Sequence, residues 1–161
     1  MEIIMKLKEI KSKHTHCFYK DDKKHGEYKS YYADGKLEIH CFYKDDKKHG
    51  EYKEYYSSFS NNNLFVHCYY KDNNIQGEYK QYFDDGQIYC NCYYKDDKRH
   101  GEYKKYYANG QLFLHCFYKN DKRHGEYKQY NTDGSLECIE YYSNGKDVTD
   151  MYNKLNVWKS L

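Results

Sequence analysis

Proline is absent from this 161-residue sequence, and glycine occurs only 10 times, so turns must rest on a few Gly, Asp and Asn positions. Aliphatic residues are scarce as well: the hydrophobic fraction of 39% includes 24 tyrosines. Such a chain cannot fill the interior of two stacked layers, which needs Leu, Ile, Val and Phe packed densely. It can clothe a sheet in rings that each carry one polar end. No apolar run approaches the roughly 20 residues of a membrane-spanning helix. Charge of one sign is lacking too, with 27 Lys+Arg against 25 Asp+Glu and a net of +2. That balance argues against nucleic-acid binders, which carry a basic excess or a one-signed patch. Met1–Lys13 carries charges throughout and does not read as a secretory leader, and the 7 cysteines are odd in number. The expectation is a soluble, cytoplasmic protein with reduced thiols.

What is present is a repeat. Cys-aromatic-Tyr-Lys recurs at Cys17, Cys41, Cys68, Cys92 and Cys116, spaced 24, 27, 24 and 24 residues by subtraction. A Gly-Glu-Tyr-Lys motif follows each, beginning at Gly26, Gly50, Gly77, Gly101 and Gly125. Asp-Gly or Asn-Gly steps then end at Gly35, Gly86, Gly110 and Gly134, with a last one at Gly145. These ten glycines are the expected turn and ladder positions. The units run about 17–40, 41–67, 68–91, 92–115 and 116–139, with a partial unit at 140–148, all in one domain over 1–161.

Each unit reads as two strands. Asp-Gly between strands predicts a two-residue type I′ loop, whose central residues both need positive φ. With Asp34-Gly35 as that loop, Tyr32 pairs with Leu37, Ser30 with Ile39, Tyr28 with Cys41 and Gly26 with Tyr43. With Asp46-Lys47 as the next, Tyr43 pairs with Gly50, Cys41 with Tyr52 and Leu37 with Tyr56. Each motif tyrosine then lies between two glycines and covers their bare backbone, as Tyr94 does between Gly77 and Gly101. One face carries Tyr28, Tyr32, Leu37, Ile39, Cys41 and Tyr43 and is the expected core. The other carries Glu27, Lys29, Tyr31, Glu38, His40 and Phe42 and faces solvent or a partner. The three extra residues of the third spacing fall in Ser57–Asn63, a turn.

The ends differ from the middle. Ile3, Ile4, Leu7 and Ile10 in an N-terminal cap (1–13) follow helical spacing, with a strand as the alternative. In a C-terminal cap (149–161), Val148, Met151, Tyr152, Leu155 and Trp158 predict a helix, N-capped by Thr149 or Asp150, that covers the open sheet edge.

The unit Tyr19–Leu37 resembles the MORN repeat in its variant form, across roughly Cys17 to Gly145. Its Lys-, Asn- and Tyr-rich wording also resembles proteins of giant DNA viruses. The resemblance implies an elongated, twisted, single-layer antiparallel sheet with one hairpin per repeat. It further implies a protein-binding scaffold, sometimes dimeric, in a family also linked to phospholipids. Tyr stands here where the common pattern often has Trp, and the cysteine ladder departs from it too.

Chemistry is sparse by comparison. Cys17, Cys41, Cys68 and Cys116 follow His16, His40, His67 and His115, with Asn91 before Cys92, but neighbours on a strand point to opposite faces. Equivalent cysteines lie two strands apart, about 10 Å, too far for zinc or a disulfide. They read as small apolar residues under the tyrosines. Cys90 and Cys92 do share a face, as an incomplete two-cysteine site, and Cys138 repeats the Cys90 position. His25, His49, His100 and His124, with Gln76 in the remaining unit, recur as a structural ladder that could respond to pH. Paired acids such as Asp21-Asp22 read as turn chemistry. No phosphate loop or nucleophile elbow occurs, so neither catalysis, a cofactor nor a bound metal is expected.

The expected contact stripe is Tyr31, Phe42, Tyr55, Tyr69, Tyr82, Tyr93, Tyr106 and Phe117, bordered by Lys29, Lys53, Lys80, Lys104 and Lys128. A protein partner, a second copy of the chain first, is its expected occupant. Stacking of single-stranded bases or contact with anionic lipid are the alternatives. Both are weakened by Glu27, Glu51, Glu78, Glu102 and Glu126 beside those lysines.

Overall fold

The computed structural model describes residues 7–57 and 62–159, with side chains through residue 155. Its strands are β1 (Lys8–Lys11), β2 (Thr15–Lys20), β3 (Lys23–Tyr31), β4 (Leu37–Lys44), β5 (Lys47–Tyr55), β6 (Leu64–Lys71) and β7 (Asn74–Ile75). The chain continues through β8 (Gly77–Tyr82), β9 (Ile88–Lys95), β10 (Lys98–Tyr106), β11 (Leu112–Lys119), β12 (Lys122–Tyr130), β13 (Leu136–Ser143) and β14 (Lys146–Asp147), and then helix α1 (Thr149–Lys159). The 14 strands form one antiparallel sheet in sequential order, with β7 beside β6 as a detached start of β8, and the sheet does not close on itself. The expected all-β, single-layer hairpin ladder is the observed fold. Its exposed surface of 10672 Å² exceeds the about 8,600 Å² typical of a compact protein of 19.8 kDa.

Registers at the centre of each hairpin match expectation: Gly26 pairs with Tyr43, Tyr28 with Cys41, Ser30 with Ile39, and Cys41 with Tyr52. The turns do not. Gly35 has φ +85° but Asp34 does not enter the left-handed region. Gly35 N–H donates to Tyr32 O at 2.9 Å, and Tyr32 N–H to Lys36 O at 2.8 Å. This is a three-residue loop whose αL glycine closes it as a bulge. Asp34 Oδ1 accepts Lys36 N–H at 3.1 Å, which accounts for the acidic residue there. As a result Tyr31, not Tyr32, pairs with Leu37, and Glu38 bulges.

Type I′ loops occupy the other end of each unit, one residue earlier than expected: Asp45 and Asp46 have φ of +50° and +66°. They are held from the preceding unit. Lys24 N–H donates to Asp46 Oδ1 at 2.8 Å, and Asp46 N–H to Lys24 O at 3.0 Å. Asn73 makes the same pair of bonds with Lys48.

Past this turn the strand bulges again. Tyr43 pairs with Lys48 while Cys41 pairs with Tyr52, so His49, Gly50 and Glu51 stand opposite Phe42 alone. Tyr43 therefore faces one glycine, Gly26, rather than two, and Tyr94 likewise pairs with Gly77 and Arg99. Glycine is required here by conformation, with φ +103° at Gly50.

The inner face is the core. Cys41, Cys68 and Cys116 are each 1% exposed, surrounded by Tyr52, Val66, Leu114 and Tyr127. Tyrosines of paired strands meet edge to face, as Tyr52 and Tyr70 do with centroids 5.4 Å apart. Lys48 Nζ lies 4.6 and 5.0 Å from those two rings, and Arg99 and Arg123 cover the corresponding rings further along. Burial pushes the thiol pKa of Cys41 up to about 11 and that of the Tyr43 hydroxyl up to about 12. These thiols are packing groups.

The ends bring two corrections. Lys8–Lys11 is a strand, paired with β2, so the helical spacing there is not realised; Ile3 and Ile4 lie outside the described residues. At the other end the expected helix forms, but Tyr152 N–H bonds to Val148 O at 2.9 Å, which makes Val148 the N-cap. Asp147 Oδ1 accepts from both the N–H and the hydroxyl of Thr149, and the same hydroxyl accepts Tyr141 N–H. Tyr152 stacks on Tyr141 at 3.7 Å, while Met151 and Leu155 remain 56% exposed. The helix therefore rests on β13 by a ring and leaves much of its apolar surface in solvent. The Trp158 side chain lies outside the described residues.

Candidate interaction face

On the outer face the eight expected aromatic residues form two rows. Tyr31, Tyr55, Tyr82 and Tyr106 pair with Leu37, Leu64, Ile88 and Leu112. Phe42, Tyr69, Tyr93 and Phe117 pair with Glu27, Glu51, Glu78 and Glu102. The bulge is the reason the aliphatic residues appear here: it moves Leu37 and its equivalents from the expected core face to the outer one. The same shift sends the bulged residue inward, so Glu38 accepts from Ser30 Oγ at 2.9 Å, and Phe65 and Phe113 pack on the core.

The lysines run between the two rows instead of bordering them. Lys29, Lys53, Lys80 and Lys104 each reach the glutamate two residues earlier at 2.8–2.9 Å, and Lys128 reaches Glu126 at 2.6 Å. His40, His67 and His115 bond the same carboxylates at 2.8–2.9 Å from the next strand. Hydrogen bonds from those lysines, then from the histidines, hold Glu27 and Glu51 below the usual carboxylate range against the opposing effect of burial. The charges in the band between the two rows thus neutralise one another. Each histidine also tilts against the ring two residues on: His67 and Tyr69 centroids are 5.4 Å apart, His115 and Phe117 5.1 Å. Asn91 replaces the histidine in one unit, and its Oδ1 is buried without a hydrogen-bond partner.

Exposure singles out the lower row. Tyr69, Tyr93 and Phe117 are 44%, 45% and 37% exposed, whereas Phe42 and the other four stripe rings are half-buried. They lie on β6, β9 and β11, two strands apart each time, a straight run of about 19 Å at the usual strand spacing.

The histidines before the glycines belong to the turn edge. His25 and His49 approach Asp45 and Asp72 at 3.2 and 3.4 Å, and His100 approaches Asn120 at 3.4 Å. They tie successive turns together. Among the described residues no three His, Cys, Asp or Glu side chains converge as for a metal, and no helix is long and apolar enough to cross a membrane.

The MORN repeat variant model matches residues 24–45, 75–96, 99–120 and 123–144, together more than half of the chain. The chain belongs to the MORN repeat variant family. Three of the matched windows open at a cation that covers tyrosine rings (Lys24, Arg99 and Arg123), the fourth opens at Ile75, and each ends in the next type I′ turn. One window of this MORN protein is therefore one strand, its three-residue loop and the returning strand. Repeats of this kind are generally associated with protein or membrane interaction. No curated protein matches the chain.

Proposed function

We propose that this MORN-repeat protein is a non-catalytic, cytoplasmic scaffold that binds a protein partner across the outer face, centred on Tyr69, Tyr93 and Phe117. The observation that carries this reading is the in-register row of exposed rings set among ion pairs that neutralise one another. Rigid rings supply contact area at low entropic cost, and a charge-balanced surround favours a protein over a polyanion. Each of the five stripe lysines already holds a glutamate, which weakens the nucleic-acid and anionic-lipid alternatives along the stripe itself. A second copy of the chain is the first partner to examine, and the viral wording of the sequence suggests a host cytoplasm as the setting.

The test is a triple variant, Tyr69→Ser/Tyr93→Ser/Phe117→Ser, compared with the parent by light scattering and by quantitative cross-linking in the native cytoplasm. Loss of self-association or of a specific cross-linked protein, with the β-sheet circular dichroism spectrum retained, supports the reading. Unchanged partners, or steeply salt-dependent binding to single-stranded oligonucleotide, would contradict it.

A further inference from the structure

Beyond the lower row of rings, on the side away from the Lys–Glu pairs, stands a second array of charge. Each ring of that row is followed two residues later, on the same face, by a lysine at the mouth of a type I′ turn. The residue across the hairpin is again a lysine in most units: Lys44 pairs with Lys47, Lys95 with Lys98 and Lys119 with Lys122, all of them exposed. Lys20 and Lys23 repeat the arrangement at the start of the sheet, and Lys71 stands opposite Asn74. Like charges directly opposite destabilise a sheet, so these pairs work against the hairpins that hold them.

The aspartates of the same turns face elsewhere. Asp46 accepts Lys24 N–H at 2.8 Å and Asp121 accepts Arg99 N–H at 3.1 Å, each from the preceding unit. Asp45 and Asp72 lie 3.2 and 3.4 Å from His25 and His49. Among the described residues none of the facing lysines forms an ion pair. The turn segments 20–24, 44–48, 71–75, 95–99, 119–123 and 143–147 hold 14 Lys and Arg against 9 Asp, a net of +5, in a chain whose net is +2. One long edge of the ladder is therefore positive although the whole chain is almost neutral.

Spacing narrows what would neutralise that edge. Successive pairs lie two strands apart, about 9.6 Å at the usual strand spacing. A polyproline-type extended peptide advances about 3.1 Å per residue with three residues per turn, so every third side chain falls on one face, about 9.3 Å from the last. Acidic side chains at that interval meet one lysine pair after another, and the residues between them can lie against Tyr69, Tyr93 and Phe117. Nucleic acid fits less well, because its phosphates recur at a finer interval, about 3.4 Å along each strand of a duplex, and would also meet the turn aspartates.

We propose, resting on the protein-binding reading above, that this edge and the row of rings beside it bind an extended acidic segment of a partner protein, with Asp or Glu at every third residue. The lysine pairs supply the register, and the rings supply the apolar contact.

The test uses the full-length protein and a fluorescent peptide of five Glu-Pro-Leu triplets, read by fluorescence anisotropy. A control peptide of the same composition carries its five glutamates in one run. The parent is expected to bind the spaced peptide about 10-fold more tightly than the control, and to lose affinity as salt rises. Lys95→Gln/Lys98→Gln/Lys119→Gln/Lys122→Gln should weaken that binding about 10-fold. Because it removes facing like charges, this variant should keep or raise its urea midpoint, which separates lost binding from lost folding. Equal binding of the two peptides, an unaffected quadruple variant, or tighter binding of a uridine oligonucleotide or of phosphatidylserine vesicles would overturn the assignment. In the native cytoplasm, a cross-linked protein that survives the lysine substitutions but is lost with Tyr69→Ser/Tyr93→Ser/Phe117→Ser would overturn the acidic segment and leave the protein-binding face standing.

Discussion

Asp46 shows how much of this protein is decided at single positions. It holds φ +66°, which a β-carbon disfavours, and its carboxylate accepts Lys24 N–H from the preceding unit. Asp46→Ala should destabilise the protein by about 1–3 kcal/mol, because a backbone donor loses its partner and the strained turn remains. Asp46→Asn should change stability by less than about 0.5 kcal/mol, since Asn73 makes the same bonds two strands away. Urea denaturation of both variants checks the contrast; equal losses would refute the side-chain acceptor role. The outer carboxylates make a pH prediction. Glu27, Glu51 and Glu102 are held below their ordinary value of 4.5, first by hydrogen bonds from Lys29, Lys53 and Lys104. A depressed carboxylate contributes stability that is fully present above the unfolded value and is lost as pH falls through the folded one. The urea midpoint should therefore hold down to about pH 4.5 and fall below it. Glu27→Gln/Glu51→Gln/Glu102→Gln should flatten that fall.

At the scale of the hairpin, what could and could not be read from the residues divides at the turns. The central registers follow from alternation and hairpin length together: alternation puts Tyr28 and Cys41 on one face, and the loop with its bulge at Glu38 leaves them opposite each other. The bulge does leave a signal in the residues. Leu64-Phe65-Val66 and Leu112-Phe113-Leu114 are apolar triplets that strict alternation cannot place, and a one-residue shift puts the middle ring on the core. Asp-Gly suits a type I′ turn and a three-residue loop alike; the choice depends on whether Asp34 enters positive φ, which composition does not reveal. The second bulge carries its own prediction. Gly50 stands at φ +103°, and a β-carbon there would meet Phe42 Cβ at an ordinary 3.7 Å, so the penalty is conformational. Gly50→Ala should destabilise by about 1–3 kcal/mol without disturbing the outer face. A neutral result in urea denaturation would mean that the strand can run straight through the position.

For the whole molecule, the repeat made architecture readable and left the candidate site only partly so. Sequential pairing follows from hairpins of regular length, and the 27-residue spacing leaves β6 in register with β5. The eight stripe rings do share the outer face, but their division into two rows depends on the bulge, and the greater exposure of Tyr69, Tyr93 and Phe117 depends on packing between units. Neither can be seen in one unit read alone. The whole account rests on a sheet that stays open and unlayered, with both faces reaching solvent. Small-angle X-ray scattering on the reduced protein, with the mass fixed by light scattering, tests this most directly. An open ladder of sequential strands predicts a monomer radius of gyration of about 19 Å at the usual strand spacing. A value near 15 Å, that of a compact domain of this length, would mean that the sheet folds back on itself and that the outer face is not the surface described.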